Sequence, residues 1–192
     1  KILIALFIIA AAVTLWIFFG GENRKSDTEN RDSSSAIFKE EKNEKSDSIS
    51  TAPPASAQTK QYKSTQYGFS FNYLADFTAS EFSEDEGKIS LIIQNGKTGQ
   101  TVQIYITPHN DPDFAVSAEK IKMDMPDLPL SNSADVIVGG KAKGVAFFSQ
   151  NEVFGGDTAE VWFADGKNFY QATSRAKDVK ILEEIIKSWE LK

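Results

Sequence analysis

The sequence predicts an α+β fold, a largely antiparallel β-sheet sandwiched by helices and preceded by one N-terminal transmembrane helix. Three observations carry this reading. Residues 2–20 hold no charged side chain and, Thr14 and Gly20 apart, only apolar ones. From Tyr67 onward, short segments rich in aromatic and β-branched residues alternate apolar with polar, the period of a strand. These segments fall into two groups, each followed by a helical pattern, and that order suits a sheet covered by helices.

The apolar run comes first. At about 1.5 Å of rise per residue it spans roughly 28 Å as a helix, against the ~30 Å hydrocarbon thickness of a bilayer. A helix is the single-segment structure that satisfies its own backbone there. Ile2, Leu6, Leu15, Trp16 and Phe19 are among its membrane-embedded residues, with Trp16 near the interface that indoles favour. Cleavage as a signal peptide after Ala10-Ala11-Ala12 is the rival reading. It would leave Val13 through Phe19 as a greasy new terminus, so retention as an anchor is expected. A buried core helix is a third reading, and it fails because the run has no polar face. Lys1 on one side and Arg24 with Lys25 on the other nearly balance the positive-inside count. The N-terminus is placed inside, because a first hydrophobic segment normally exports the chain downstream of it. The protein is then a single-pass membrane protein with an extracytoplasmic C-terminal domain.

Residues 21–65 change character. They are rich in Ser, Lys, Glu, Asp and Asn, carry Pro53-Pro54, and balance basic against acidic side chains. Such a segment cannot bury enough apolar surface to offset its chain entropy, so it is read as a disordered polar linker. As a flexible coil it reaches roughly 35–40 Å. Residues 66–192 are one domain's length of chain. The acidity behind the net charge of −6 lies there. Nucleic acid is not expected as a partner, since phosphate binding needs a basic surface. The chain has no cysteine, so the domain must be stabilised by its core alone.

Within the domain, Tyr67, Phe69, Phe71 and Tyr73 alternate with small or polar residues, a strand with one aromatic face. Residues 77–84 and 88–94 read as strands joined through Asp85-Glu86-Gly87. Asn95-Gly96 reads as a tight hairpin into a strand over 101–107. Ser117 caps a short helix with Glu119 in its first turn, and Pro126 ends it. Residues 136–138 and 144–149 flank a Gly139-Gly140 turn. A hairpin across Asp165-Gly166 joins strands over 160–164 and 168–173. Residues 178–189 place Ile181, Leu182, Ile185, Ile186 and Trp189 on one face of a closing helix.

Motifs that would announce chemistry lack their essential residues. Gly96-Lys97-Thr98 lacks the glycine of a phosphate-binding loop, which would stand at Leu91, and a strand follows it. Gly139-Gly140 with Gly144 lacks dinucleotide-binding spacing, and no nucleophile elbow occurs. His109 is the one histidine and has no recognisable triad partner or zinc co-ligand. Asp111 and Asp113 in the same loop are candidate calcium ligands, although the loop lacks the full ligand series of a calcium site. Turn chemistry alone accounts for that loop's composition. Glu84, Asp85 and Glu86 form a second acidic tip, read as a solvated hairpin end. No catalytic or cofactor-binding residue is assigned.

The segment Tyr67-Gly68-Phe69-Ser70-Phe71-Asn72-Tyr73 followed by Phe77 resembles the opening strand of PsbP-like domains. Val161-Trp162-Phe163, Phe169-Tyr170-Gln171-Ala172-Thr173 and the closing stretch from Ile181 to Trp189 resemble further segments of that family. The resemblance spans residues 66–192, departs at Leu74 where proline is common, and rests on fold markers. It implies an antiparallel sheet between helices. Family functions diverge, from lumenal accessory subunits of photosystem II to a Ran-binding import factor and uncharacterised bacterial surface proteins. The anchored, tethered layout is similar to the last group. The expected function is thus a membrane-anchored accessory or binding module without turnover, acting on an unidentified protein partner and needing no cofactor. An envelope hydrolase with scattered carboxylates and a passive structural envelope protein are the alternatives.

Overall fold

The computed structural model describes residues 58–111 and 113–192. The expected anchor over residues 2–20, with Ile2, Leu6, Leu15, Trp16 and Phe19, lies outside the described residues, as does the linker up to residue 57. Among the described residues no helix is long and apolar enough to cross a membrane. The linker boundary at Thr65 needs correction. Thr59–Ser64 is strand β1, paired antiparallel with β2 (Phe69–Leu74) from Thr59 opposite Leu74 to Ser64 opposite Phe69. Composition hides β1 because Tyr62 is its one large apolar residue. Its ladder is supplied by β2, and Tyr62 stacks on Phe71 at 5.3 Å.

β2 does not join the main sheet. The Phe77 N–H donates to the Leu74 carbonyl at 3.0 Å and turns the chain away. The chain then builds β3 (Thr78–Ser83), β4 (Ile89–Gln94), β5 (Thr101–Pro108), β6 (Ser131–Val138), β7 (Ala142–Asn151), β8 (Gly156–Ala164) and β9 (Asn168–Arg175). These form one antiparallel sheet in the order β3-β4-β5-β9-β8-β7-β6. The last strand, β10 (Glu190–Leu191), pairs with β2 and completes a separate sheet in the order β1-β2-β10. Two short helices, α1 (Ala118–Asp124) and α2 (Val179–Lys187), accompany the sheets.

Two turns differ in an instructive way. Asp165-Gly166 closes β8 to β9 as expected, with Asp165 Oδ1 accepting from Lys167 N and Asn168 N and Gly166 at φ 88°. Asn95-Gly96 does not form a two-residue hairpin. The Asn95 N–H donates to Gln100 O at 2.9 Å, Asn95 Oδ1 accepts from Lys97 N and Thr98 N, and Gly99 takes the left-handed φ of 69°. The asparagine side chain organises a longer loop, so the glycine that matters is the later one.

Alternation along the strands sends side chains to two faces of the seven-stranded sheet. On the first face Ile89, Leu91, Ile93, Val102, Ile104, Ile106, Phe163 and Tyr170 meet α2 and β2 in the main core. On the second face Val145, Phe147 and Trp162 meet Val116 and Ile121 in a smaller cluster. Among the described residues the fold is thus mostly antiparallel β-structure with two short α-helices. The expected sandwich is corrected in one respect: the first face is covered by a helix together with a second small sheet.

Trp189 is the joint between the layers. α2 ends two residues before it, and Ser188 Oγ accepts from Asn72 N at 2.9 Å and so ties the helix end to β2. The indole stacks on Phe69 at 4.5 Å and on Phe71 at 5.0 Å, and meets Phe163 and Tyr170 edge-on at 5.2 and 5.6 Å. Offset stacks and edge contacts at these spacings favour aromatic pairs beyond their area burial.

Candidate functional site

The acids singled out in the sequence lie on the surface. Asp111 and Asp113 are both exposed. Asp111 Oδ1 accepts from the Asp113 N–H at 3.0 Å, and the Phe114 N–H donates to the Asp111 carbonyl at 3.2 Å. The loop therefore uses Asp111 as a turn residue. His109 is half-buried, its ring 4.8 Å from that of Phe114, and its Nδ1 accepts from the Asp111 N–H at 3.4 Å. Among the described residues no three His, Cys, Asp or Glu side chains gather as a metal set.

The tip at residues 84–86 is bonded locally. Tyr105 Oη donates to Glu84 Oε2 at 3.0 Å, and Lys88 Nζ pairs with Glu86 Oε2 at 2.7 Å. That lysine bond holds the Glu86 carboxyl below its ordinary range. Burial, followed by the bond to Glu84, pushes the Tyr105 phenol up. A shallow hollow at the far end of β7 and β8 is lined by Pro129, Gln150, Asn151, Glu152, Gly155 and Gly156. Its polar side chains are partly engaged, with Asn151 Oδ1 accepting from Val153 N and Gln150 bonded to Asp157.

The group that sequence reasoning missed is Glu160. It stands in the middle of β8 on the second face, opposite Phe147 of β7 and Thr173 of β9. It is 5 % exposed. Its Oε1 accepts from Thr158 Oγ1 at 2.9 Å, while its Oε2 accepts from Trp162 Nε1 at 3.1 Å and Thr173 Oγ1 at 2.6 Å. All three donors are neutral. A readable signal exists: Thr158, Glu160 and Trp162 share one face of a strand whose opposite face carries Ala159, Val161 and Phe163, and an acid inside such a stretch is unusual.

Burial disfavours the charged form of Glu160 and raises its pKa, against the lowering effect of the bonds from Thr173, Thr158 and Trp162. The folded protein therefore holds this proton more tightly than the unfolded chain does. The stability linked to it is complete below the ordinary carboxylate range and is lost as pH rises through the folded value. Beside it, Ser149 of β7 lies opposite Thr158, is 6 % exposed, and its Oγ has no hydrogen-bond partner among the described residues. The second face thus carries a small buried polar cluster: one acid, three neutral donors and an unpaired hydroxyl. No base or cation bonds to the carboxylate among the described residues.

No protein-family model matches the chain, and no curated protein matches it. Among solved structures the chain is similar to the solution structure of cyanobacterial PsbP (CyanoP) from Synechocystis sp. PCC 6803, at 12% sequence identity and a TM-score of 0.46. The match covers 75% of this chain and 98% of that one.

Proposed function

We propose that this protein is a membrane-anchored, extracytoplasmic accessory or binding module that presents a PsbP-like domain on a polar tether and performs no turnover. In this reading residues 2–20 hold the bilayer, and the linker gives the domain its reach. The domain is a sheet between helices, with α2 on one face and α1 on the other. The observation that carries the reading is β1. The polar segment does not simply run out beside the domain, because its last residues form a six-residue strand in the small sheet. Force or motion passing along the tether is therefore received by a hydrogen-bonded ladder at one edge. The way the acids are used supports the absence of turnover: Glu160 is bonded to neutral donors, and Asp178 is paired with Arg175 at 2.9 Å.

Affinity purification tests the function. The full chain, tagged at its C-terminus and extracted in mild detergent from its own membranes, is expected to bring down one protein in near-stoichiometric amount. That partner should be lost when residues 58–192 are removed. Hydrolysis of a glycan or ester panel by the same preparation, abolished by a single carboxylate change, would overturn the reading in favour of the hydrolase alternative.

A further inference from the structure

Residues 116–130, with α1 near their centre, are fastened to the sheet differently from every strand around them. The hydrogen bonds found for this segment close within it. Ser117 Oγ caps Lys120 N at 3.2 Å, Met125 N reaches Ile121 O at 2.8 Å, and Leu128 N reaches Met125 O at 3.1 Å. Its ion pair, Lys120 with Asp124 at 3.3 Å, is internal as well. Its hold on the sheet is apolar: Val116 and Ile121, with the half-buried Met125, Leu128 and Leu130, pack on Val145, Phe147 and Trp162. Such a cover can lift without breaking a strand ladder.

Beneath and beside that contact lie groups that gain from water. Glu160 is flanked by Phe147 across the ladder and by Trp162 along its own strand, both in contact with the cover. Ser149 Oγ is buried with no partner among the described residues, a state that costs stability relative to a satisfied hydroxyl. We propose that residues 116–130 form a lid over this polar cluster, and that lifting the lid hydrates Glu160 and releases its proton to solvent.

The surrounding charges leave this linkage to Glu160. On the second face, β9 contributes Arg175, which is held by Asp178 and by the Gly99 carbonyl. β5 contributes Tyr105, which donates to Glu84 and whose phenol is pushed up, away from the range that matters here. β7 contributes Lys143, two residues before Val145 and exposed, and β6 contributes the exposed Asp135 opposite Val145. The lid contributes the internally paired Lys120 and Asp124, with Glu119, Lys122 and Asp127 exposed, and His109 stands beside it against Phe114. The closed form binds the Glu160 proton more tightly because the carboxyl is buried there. Opening is therefore favoured as pH rises, by up to about tenfold for each unit by which the closed and open pKa values differ.

The chain has no cysteine, so one can be introduced as a reporter. Val145 is fully buried under the lid. The full chain carrying Val145→Cys, and the same chain carrying Val145→Cys with Glu160→Gln, are treated with a small neutral thiol reagent across the range from acid to alkaline pH. Their rate ratio cancels the chemistry of the thiol itself. A ratio near one in acid that climbs several-fold as pH rises is expected, and a ratio independent of pH overturns the proposal. Should the thiol variants fail to fold, hydrogen exchange of the α1 amides relative to those of β5 gives the same reading. Corrected for intrinsic rates, α1 exchange should grow with pH in the unsubstituted chain and stay level in Glu160→Gln. Level exchange in both sinks the lid.

Discussion

Replacing Trp189 by alanine is expected to destabilise the domain by about 3–5 kcal/mol, the usual cost of emptying a large aromatic site in a core. Total stabilities of small domains run at about 5–15 kcal/mol, so this one change would remove a large share. The reason is position. Trp189 touches Phe69 and Phe71 of the small sheet and Phe163 and Tyr170 of the large one, and it closely follows the last turn of α2. Its loss separates three elements at once. Its indole N–H is buried without a partner among the described residues, so Trp189→Phe gives up ring volume but also removes an unpaired donor. That variant should cost well under half as much. Urea unfolding followed by far-ultraviolet dichroism separates the two, and equal losses would contradict the role given to ring stacking.

Gly144→Ala should cost about 1–3 kcal/mol, the usual range for overpacking. A Cβ built at Gly144 would fall 2.4 Å from the Trp162 carbonyl oxygen and 2.5 Å from Phe163 Cβ. The first of these atoms is backbone, so relief requires β7 to move away from β8 along the ladder they share. Gly96→Ala is the control. Nothing lies within 4 Å of a Cβ there and its backbone is not left-handed, so its effect should stay within about 0.5 kcal/mol. A denaturation midpoint that falls as far for Gly96→Ala as for Gly144→Ala would contradict the close-approach argument.

The elements legible in the sequence are those whose side chains alternate against the core. β2 announces itself through Phe69 and Phe71, β8 and β9 through Val161, Phe163 and Tyr170, and α2 through Ile181, Leu182 and Ile185. β1 and most of β6 are silent for a shared reason. Both are edge strands with few buried side chains, so pairing rather than burial makes them strands, and pairing leaves no periodic trace. The second sheet is hidden too, because β10 is two residues long and alternation cannot say which neighbour a strand chooses. At the level of sites, Asp111 and Asp113 stand out as a cluster in sequence, yet the loop uses Asp111 in its own turn. Glu160 does not stand out, because its partners Thr158, Trp162 and Thr173 look like ordinary strand residues until β8 and β9 are laid side by side.

Central to the proposed function is a domain held outside the bilayer by its N-terminal segment, and topology tests that most directly. Protease added to intact spheroplasts expressing the full chain should remove residues 58–192 while a cytoplasmic marker survives. Full protection of the domain until the membrane is broken would contradict that arrangement.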